Sequence, residues 1–308
     1  MKFLKLIRYQ NLLLVALMQL IFRYGFLKQQ NVYLALADWQ YILLVLSTVC
    51  IAAGGYVINN IFDYKTDMEN KPETVVIGKS ISESLGYNLY AGFTIVGVGI
   101  GFYLSNVIQK PSFATLFVVI ALTLYLYATS LKQTLLLGNI IVALLLSFSL
   151  IIIGIFDLYP ATYEGNQPIM RLLFSILLDY AIFAFMINLI REIIKDLEDV
   201  NGDYNQGMNT LPIALGTKRT SRLVFGLSFI PLLSLVYYIN FYVFNSGLFL
   251  STLYAITFIL SPLIYFTIKL WSAKNKSDFH HLSQVLKWVL FFGILSIAII
   301  TYNMPHHA

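Results

Sequence analysis

Apolar residues dominate nine long stretches of the chain, and polar residues gather between them. The stretches lie near 10–28, 40–61, 85–105, 113–131, 135–156, 172–194, 222–243, 248–270 and 284–302. Each is continuous and close to the ~20 residues that carry an α-helix across a bilayer. Barrel strands would be about ten residues long with strict alternation, a pattern these stretches lack. The pattern predicts an all-α polytopic membrane bundle of about nine transmembrane helices around a central cavity. It is read as one domain over residues 1–308.

Composition supports this reading. Of the 308 residues, 58% are hydrophobic and 11% charged, and the mean hydropathy is +0.76. A soluble domain carries about 25% charged residues. The net charge of +5 raises the question of nucleic acid. The cations sit at helix ends rather than in a basic stripe interleaved with aromatics, so the expected partner is the lipid bilayer and not nucleic acid. The lone cysteine, Cys50, lies mid-span and excludes an intrachain disulfide and a cysteine metal cluster. Ala35-Leu36-Ala37 resembles a signal cleavage site. Arg23 interrupts the preceding run, however, and that run opens a series of spans.

Lysine and arginine placement gives an orientation. With Lys2, Lys5 and Arg8 in the cytoplasm, nine spans place 61–84, 132–134, 195–221 and 271–283 on that side as well. Those connections carry Lys65, Lys71, Lys79, Lys132, Lys195, Lys218, Arg219, Lys274 and Lys276. The other side keeps little beyond Arg23, Lys28, Lys110 and Arg171. The expected location is the cell inner membrane, with the N-terminus cytoplasmic.

Two acid-rich segments stand out in so apolar a chain, and both fall on the cytoplasmic side. The first is Asn59-x-x-x-Asp63-x-x-x-Asp67, ending span two. On an α-helix these positions drift only about 40° per step and form one stripe. The second is Lys195-Asp196-x-x-Asp199-x-x-x-Asp203, after span six. Glu192, Asp196, Asp199 and Asp203 share a face, with Asn188, Arg191 and Lys195 on an adjacent stripe. Gly202 is expected to end that helix, and Thr210-Leu211-Pro212 to start the next element. Asp63, Asp67, Asp199 and Asp203 suit a hard divalent cation, which Mg²⁺ binds through one or two carboxylates plus substrate phosphates. Asn59 adds an oxygen ligand or a hydrogen bond. Arg191 and Lys195 suit diphosphate oxygens. Acids at helix ends are often only solvated. Asn188, Arg191 and Glu192 lie at or inside the boundary, though, where a charge costs roughly 2.5–3.5 kcal/mol uncompensated. Such residues line a cavity. A transporter would favour charges at the midplane, whereas these gather at one surface.

These residues resemble the UbiA superfamily of intramembrane prenyltransferases over essentially the full length. The resemblance rests on both motifs, on Asn59-Asn60-Ile61-Phe62-Asp63-Tyr64 running into Asn70-Lys71-Pro72, and on Gly78-Lys79-x-Ile81-Ser82. Gly138-Asn139 and Thr210-Leu211-Pro212 followed by Gly216 also fit. The resemblance implies two Mg²⁺ ions, held by Asp63/Asp67 and Asp199/Asp203, binding an isoprenoid diphosphate. It implies Lys195 and Asp196 as further catalytic residues, and Asn59, Lys71, Lys132, Asn188 and Arg191 as substrate contacts. It implies an allylic carbocation-like centre that Tyr127 would face; packing is an equal reading in a chain with 21 tyrosines.

Two departures bear on the substrate. Many members follow the Lys-Pro pair with Asp-Arg-Pro, where this chain reads Glu73-Thr74-Val75; Lys71 or Lys79 would replace the missing arginine. Many aromatic-prenylating members have a tyrosine four residues before the motif lysine, where this chain has Arg191. The string Arg191 to Asp203 looks most like the branch that makes digeranylgeranylglyceryl phosphate, and an arginine suits a phosphate-bearing acceptor. The implied reaction transfers geranylgeranyl from its diphosphate to geranylgeranylglyceryl phosphate in ether-lipid synthesis. Prenylation of an aromatic acid or quinone precursor is the alternative. Asp179 is read as a satisfied polar residue, His280-His281 as a surface pair without ligand spacing, and His306-His307 as a tail.

Overall fold

A computed structural model describes residues 2–304, so His306 and His307 lie outside the described residues. Among the described residues, nine helices are long and apolar enough to cross a membrane. They are α1 (Tyr9–Gln30), α2 (Asp38–Phe62), α3 (Glu83–Val107), α4 (Pro111–Thr129), α5 (Leu137–Ala161), α6 (Gln167–Asn205), α7 (Thr217–Phe244), α8 (Phe249–Ser272) and α9 (Lys276–Asn303). Each coincides with one predicted stretch. Large apolar side chains such as Ile95, Leu253 and Ile268 point outward and stay exposed, as a surface solvated by lipid allows.

The bundle closes around two long central helices. α2 packs chiefly on α3 and α4, α6 packs on α5, α7 and α9, and α1 meets α9. Close packing of α2 on α3 is marked by the Ser47 hydroxyl, which donates to the Gly97 carbonyl at 2.7 Å. Small residues let membrane helices approach in this way. Below the first motif, Val57, Ile58 and Ile61 form a buried cluster with Leu6, Val76 and Ile77. That cluster pins the segment after residue 70 back onto α2. Below the second, Ile193, Ile194 and Leu197 pack with Phe279, Leu282 and Leu286 of α9.

One boundary differs from expectation. α6 does not end at Gly202 but continues to Asn205. Gly207, at φ +69°, supplies the left-handed stop instead. Gly202 is needed for a close approach. A Cβ there would stand 2.5 Å from the Asn70 side chain. The next element does begin as expected, with Thr210 preceding the short helix Leu211–Leu215.

At the end of the bundle opposite the acidic motifs, Arg23 is 1% exposed and pairs with the fully buried Asp157. Asp157 also accepts from the Leu36 amide at 3.0 Å, and Arg23 donates to the Leu36 carbonyl at 2.6 Å. This knot ties α1, α5 and the start of α2 together.

Candidate active site

The first motif straddles a helix break without losing its stripe. α2 stops at Phe62, Asp63 is a turn residue, and a short helix follows over Tyr64–Asn70. The i→i+4 backbone ladder nevertheless continues. The amides of Asp63, Asp67 and Lys71 donate to the carbonyls of Asn59, Asp63 and Asp67, each at 2.8 Å. Asn59, Asp63 and Asp67 therefore remain on one face. The second motif lies on the unbroken α6, which carries Asn188, Arg191, Lys195, Asp196, Asp199 and Asp203 on a single rod.

The two motifs meet. Lys71 Nζ donates to Asp199 Oδ2 at 2.8 Å and lies 3.1 Å from Glu198 Oε1. Asn70 Oδ1 accepts from the Gly202 amide at 3.1 Å, and Asn205 bonds Glu69. From the α9 side, Lys276 donates to the Asn70 carbonyl at 2.6 Å, and His280 Nδ1 lies 3.1 Å from Glu198 Oε1. His280, expected as a bland surface residue, thus braces the second motif. Burial works against the Lys71 ammonium, but Asp199 and Glu198 outweigh it and raise its pKa.

Lys132 arrives from the α4–α5 turn and pairs with Asp63, which also accepts from Asn59. A glycine allows this reach. A Cβ on Gly138 would stand 2.8 Å from the Lys132 backbone, so only glycine lets that turn fold so tightly onto α5. Asp196 accepts from Asn139 at 2.9 Å, which ties α6 to the start of α5. Asp67 carries no ion pair among the described residues. Burial, then Asp63 and Asp199, push its carboxyl up to about 6 against the pull of Arg8 and Lys71.

Below this acidic rim lies a cavity of about 1770 Å³, including its open mouth. Its mouth carries Arg8, Tyr56, Asn59, Tyr127, Asn188, Arg191, Glu192, Lys195 and Lys287. Its depth is apolar, reaching Phe22, Phe117 and Ile152. Asn188 is buried and donates to the Ala184 carbonyl at 2.9 Å. Lys195 pairs with Glu192, and Arg191 lies 3.7 Å from the same carboxylate while donating to the Ser283 carbonyl at 3.3 Å. The four motif aspartates and Lys132 lie outside the cavity lining.

Oxygen donors for a cation are present in number. Among the described residues, Asn59 Oδ1 and Asp199 Oδ1 are buried without a partner, next to the Lys132–Asp63 and Lys71–Asp199 ion pairs. A hard, oxygen-seeking ion such as Mg²⁺ suits that donor set. As arranged, no three acidic, histidine or cysteine side chains among the described residues converge on one point. Asp63 and Asp199 are each drawn to a lysine instead.

The UbiA prenyltransferase family model matches residues 25–295. The chain belongs to the UbiA prenyltransferase family. This UbiA member is 37% identical over 178 residues to digeranylgeranylglyceryl phosphate synthase of Sulfolobus acidocaldarius. That match spans 58% of this chain and 58% of the relative's length. A solved structure concerning digeranylgeranylglyceryl phosphate synthase in membranes superposes with a TM-score of 0.66 at 22% identity, covering 98% of both chains. A UbiA homolog from Archaeoglobus fulgidus, solved with DMAPP and Mg²⁺, gives a TM-score of 0.58 at 16% identity, covering 96% of this chain and 99% of that one. At these identities the structures establish a shared fold.

Sequence reasoning missed Arg8, Tyr56 and Lys287 at the mouth of this UbiA fold. Arg8 stands in a left-handed turn at φ 48°, 5.4 Å from the Tyr56 ring. Burial lowers its pKa, but Tyr56, Asp67 and Asp63 together raise it. Its signal was a cation directly before the first apolar run, which reads equally as a topology marker. Lys79 donates to the Pro72 carbonyl at 2.7 Å, away from the aspartates. Of the two lysines weighed against the missing arginine, only Lys71 reaches the site.

Proposed function

We propose that this protein transfers a geranylgeranyl group from its diphosphate to geranylgeranylglyceryl phosphate, forming an ether. The observation that carries the reading is the meeting of two acidic motifs above an apolar cavity, joined by Lys71. A headgroup held at such a rim leaves its chain in the cavity below.

Asp63 and Asp67 would hold one Mg²⁺ and Asp199 and Asp203 a second, with Asn59 Oδ1 and Asp199 Oδ1 supplying donors that lack a protein partner. Bound there, the ions neutralise the departing diphosphate. Lys71 and Lys132, which pair with motif carboxylates, are placed to turn toward diphosphate oxygens as those carboxylates are taken up. Lys195 and Arg8 add positive charge at the mouth, an electrostatic contribution aimed where charge develops on the leaving group. Asp196, fixed by Asn139, holds α6 in register with α5 and acts as a positioning residue. Tyr127 lines the mouth, where an aromatic face stabilises a cationic allylic carbon. Arg191 and Lys287 are placed for the acceptor phosphate.

The similarity to digeranylgeranylglyceryl phosphate synthases and the DMAPP- and Mg²⁺-bound homolog both support this reading. The charge bias supports an inner-membrane protein with this rim facing the cytoplasm. The test is turnover in lipid nanodiscs with Mg²⁺ and geranylgeranyl diphosphate, offering geranylgeranylglyceryl phosphate and 4-hydroxybenzoate in parallel. An ether-linked phosphate carrying two prenyl chains is the expected product by mass spectrometry. A prenylated benzoate alone would replace this acceptor with an aromatic one.

A further inference from the structure

A second cavity, of about 1550 Å³ including its opening, lies between α6, α7, α8 and α9. Tyr180, Phe183 and Gly293 line both this cavity and the central one. Gly293 is buried, yet nothing lies within 4 Å of where its Cβ would stand. Gly293 therefore stands on the boundary of the two spaces, with open space beside it. Beside that boundary the Tyr180 hydroxyl and Ser296 Oγ satisfy each other at 2.8 Å; Asp179, the one carboxylate among the lining residues, is exposed. The same wall includes residues of two π-helical stretches, Ile239–Phe244 in α7 and Ile256–Leu260 in α8. Such turns are uncommon and recur at functional sites.

Chemistry supplies the need for this space. The reaction proposed above joins two lipids at their polar ends, so both ends must meet at one mouth while two chains find apolar surroundings. Gly293 lies six residues along α9 from Lys287 at the mouth, roughly 9 Å deeper at the helical rise. Two chains descending side by side from the mouth would separate there. We propose that the cavity between α6, α7, α8 and α9 binds the isoprenoid chain of the acceptor, admitted from the central cavity past Gly293. The central cavity keeps the chain of the donor. This inference rests on the acceptor carrying its own chain, as in the function proposed above.

The test is photolabelling of the full chain in nanodiscs with geranylgeranylglyceryl phosphate whose chain ends in a diazirine, followed by peptide mapping. Adducts are expected on Met186, Leu233 or Tyr242, which line the second cavity. They should fall by about tenfold or more in Gly293→Leu and Gly293→Trp, the loss expected when as few as about two methylenes leave an apolar site. Gly293 also borders the central cavity, so labelling of Phe22 or Phe117 by a diazirine-tailed geranylgeranyl diphosphate is the reference, and it should fall by less than the acceptor labelling in both variants. Acceptor adducts confined to the central cavity would overturn the proposal, as would second-cavity adducts that survive both substitutions. If neither variant folds, the map of the unsubstituted protein decides, with unlabelled acceptor as competitor. Labelling needs no turnover. Protein that labels as expected but does not prenylate the acceptor refutes the functional reading and leaves the site standing.

Discussion

Lys71 Nζ lies 2.8 Å from Asp199 Oδ2, 128 residues away in sequence, so one ammonium just past the first motif closes on the second. The segment that carries it is the one where the family's usual arginine is absent. Hydrogen bonds to charged groups contribute about 1.5–3 kcal/mol, so Lys71→Gln should lower kcat/KM for the prenyl diphosphate by about 10- to 150-fold. Lys79→Gln, exposed and turned toward Pro72, should stay within about twofold. Equal losses in both variants would mean that the segment acts through its fold rather than through Lys71.

Asp67 separates metal binding from stability. It has no ion pair among the described residues, and burial together with Asp63 and Asp199 disfavours its charge. Asp67→Asn should therefore leave the unfolding temperature equal or higher, since it relieves repulsion. The same substitution should cut turnover by about 10²-fold or more if the carboxylate anchors a cation at the leaving group. Chelation of the native protein should abolish turnover, and added Mg²⁺ should restore it. A drop in unfolding temperature with Mg²⁺ dependence unchanged would assign Asp67 to the fold alone.

Gly202 sets the spacing of the two motifs. A methyl group there collides with the Asn70 side chain, and overpacking costs roughly 1–3 kcal/mol. Gly202→Ala should lower both thermal stability and turnover. Asn70→Ala in the same chain removes the obstructing amide. The double variant should recover stability, with a coupling of about 0.5 kcal/mol or more. Additive losses would show that the contact is not what makes the glycine necessary.

The nine spans were legible because bilayer thickness acts on every residue of a helix at once. Both acidic stripes were legible for a similar reason, since i→i+4 spacing survives even the break at Asp63. The end of α6 was misread because Gly202 looks like a helix stop, whereas its role is set by Asn70, 132 residues away. Arg8 and Lys287 were missed because a cation near a membrane boundary has a sufficient explanation in topology. Only the fold shows that they share one mouth. Asp157 escaped notice because a carboxylate at the end of an apolar run resembles a loop residue until Arg23 is placed against it. Asp179, read as a satisfied polar group, lines the second cavity and pairs with no cation among the described residues.

The Arg23–Asp157 pair should matter for folding and not for chemistry. Both side chains are almost completely enclosed, and removing one partner of such a pair costs about 3–5 kcal/mol. Asp157→Leu should lower the unfolding temperature in detergent sharply, while Mg²⁺ dependence of the surviving folded fraction is retained. Replacing both, as Arg23→Met with Asp157→Leu, should recover much of the loss because no unpaired charge remains. A change in KM in either variant would contradict a purely structural role.

Arg191 decides between acceptors. Its guanidinium is steered by the Ser283 carbonyl and by Glu192, and it faces the mouth beside Lys195 and Lys287. A planar fork recognises phosphate in two-point fashion, which lysine does not reproduce. Arg191→Gln should raise KM for geranylgeranylglyceryl phosphate by about 10-fold or more, as expected for lost charge-assisted bonds. Arg191→Lys should recover only part of that loss, and KM for the prenyl diphosphate should hold steady in both variants. If KM for the diphosphate rises instead, Arg191 serves the donor, and the departure from tyrosine at this position no longer speaks for a phosphate-bearing acceptor. The split between the two Michaelis constants therefore tests the acceptor assignment through the residue on which it leans most.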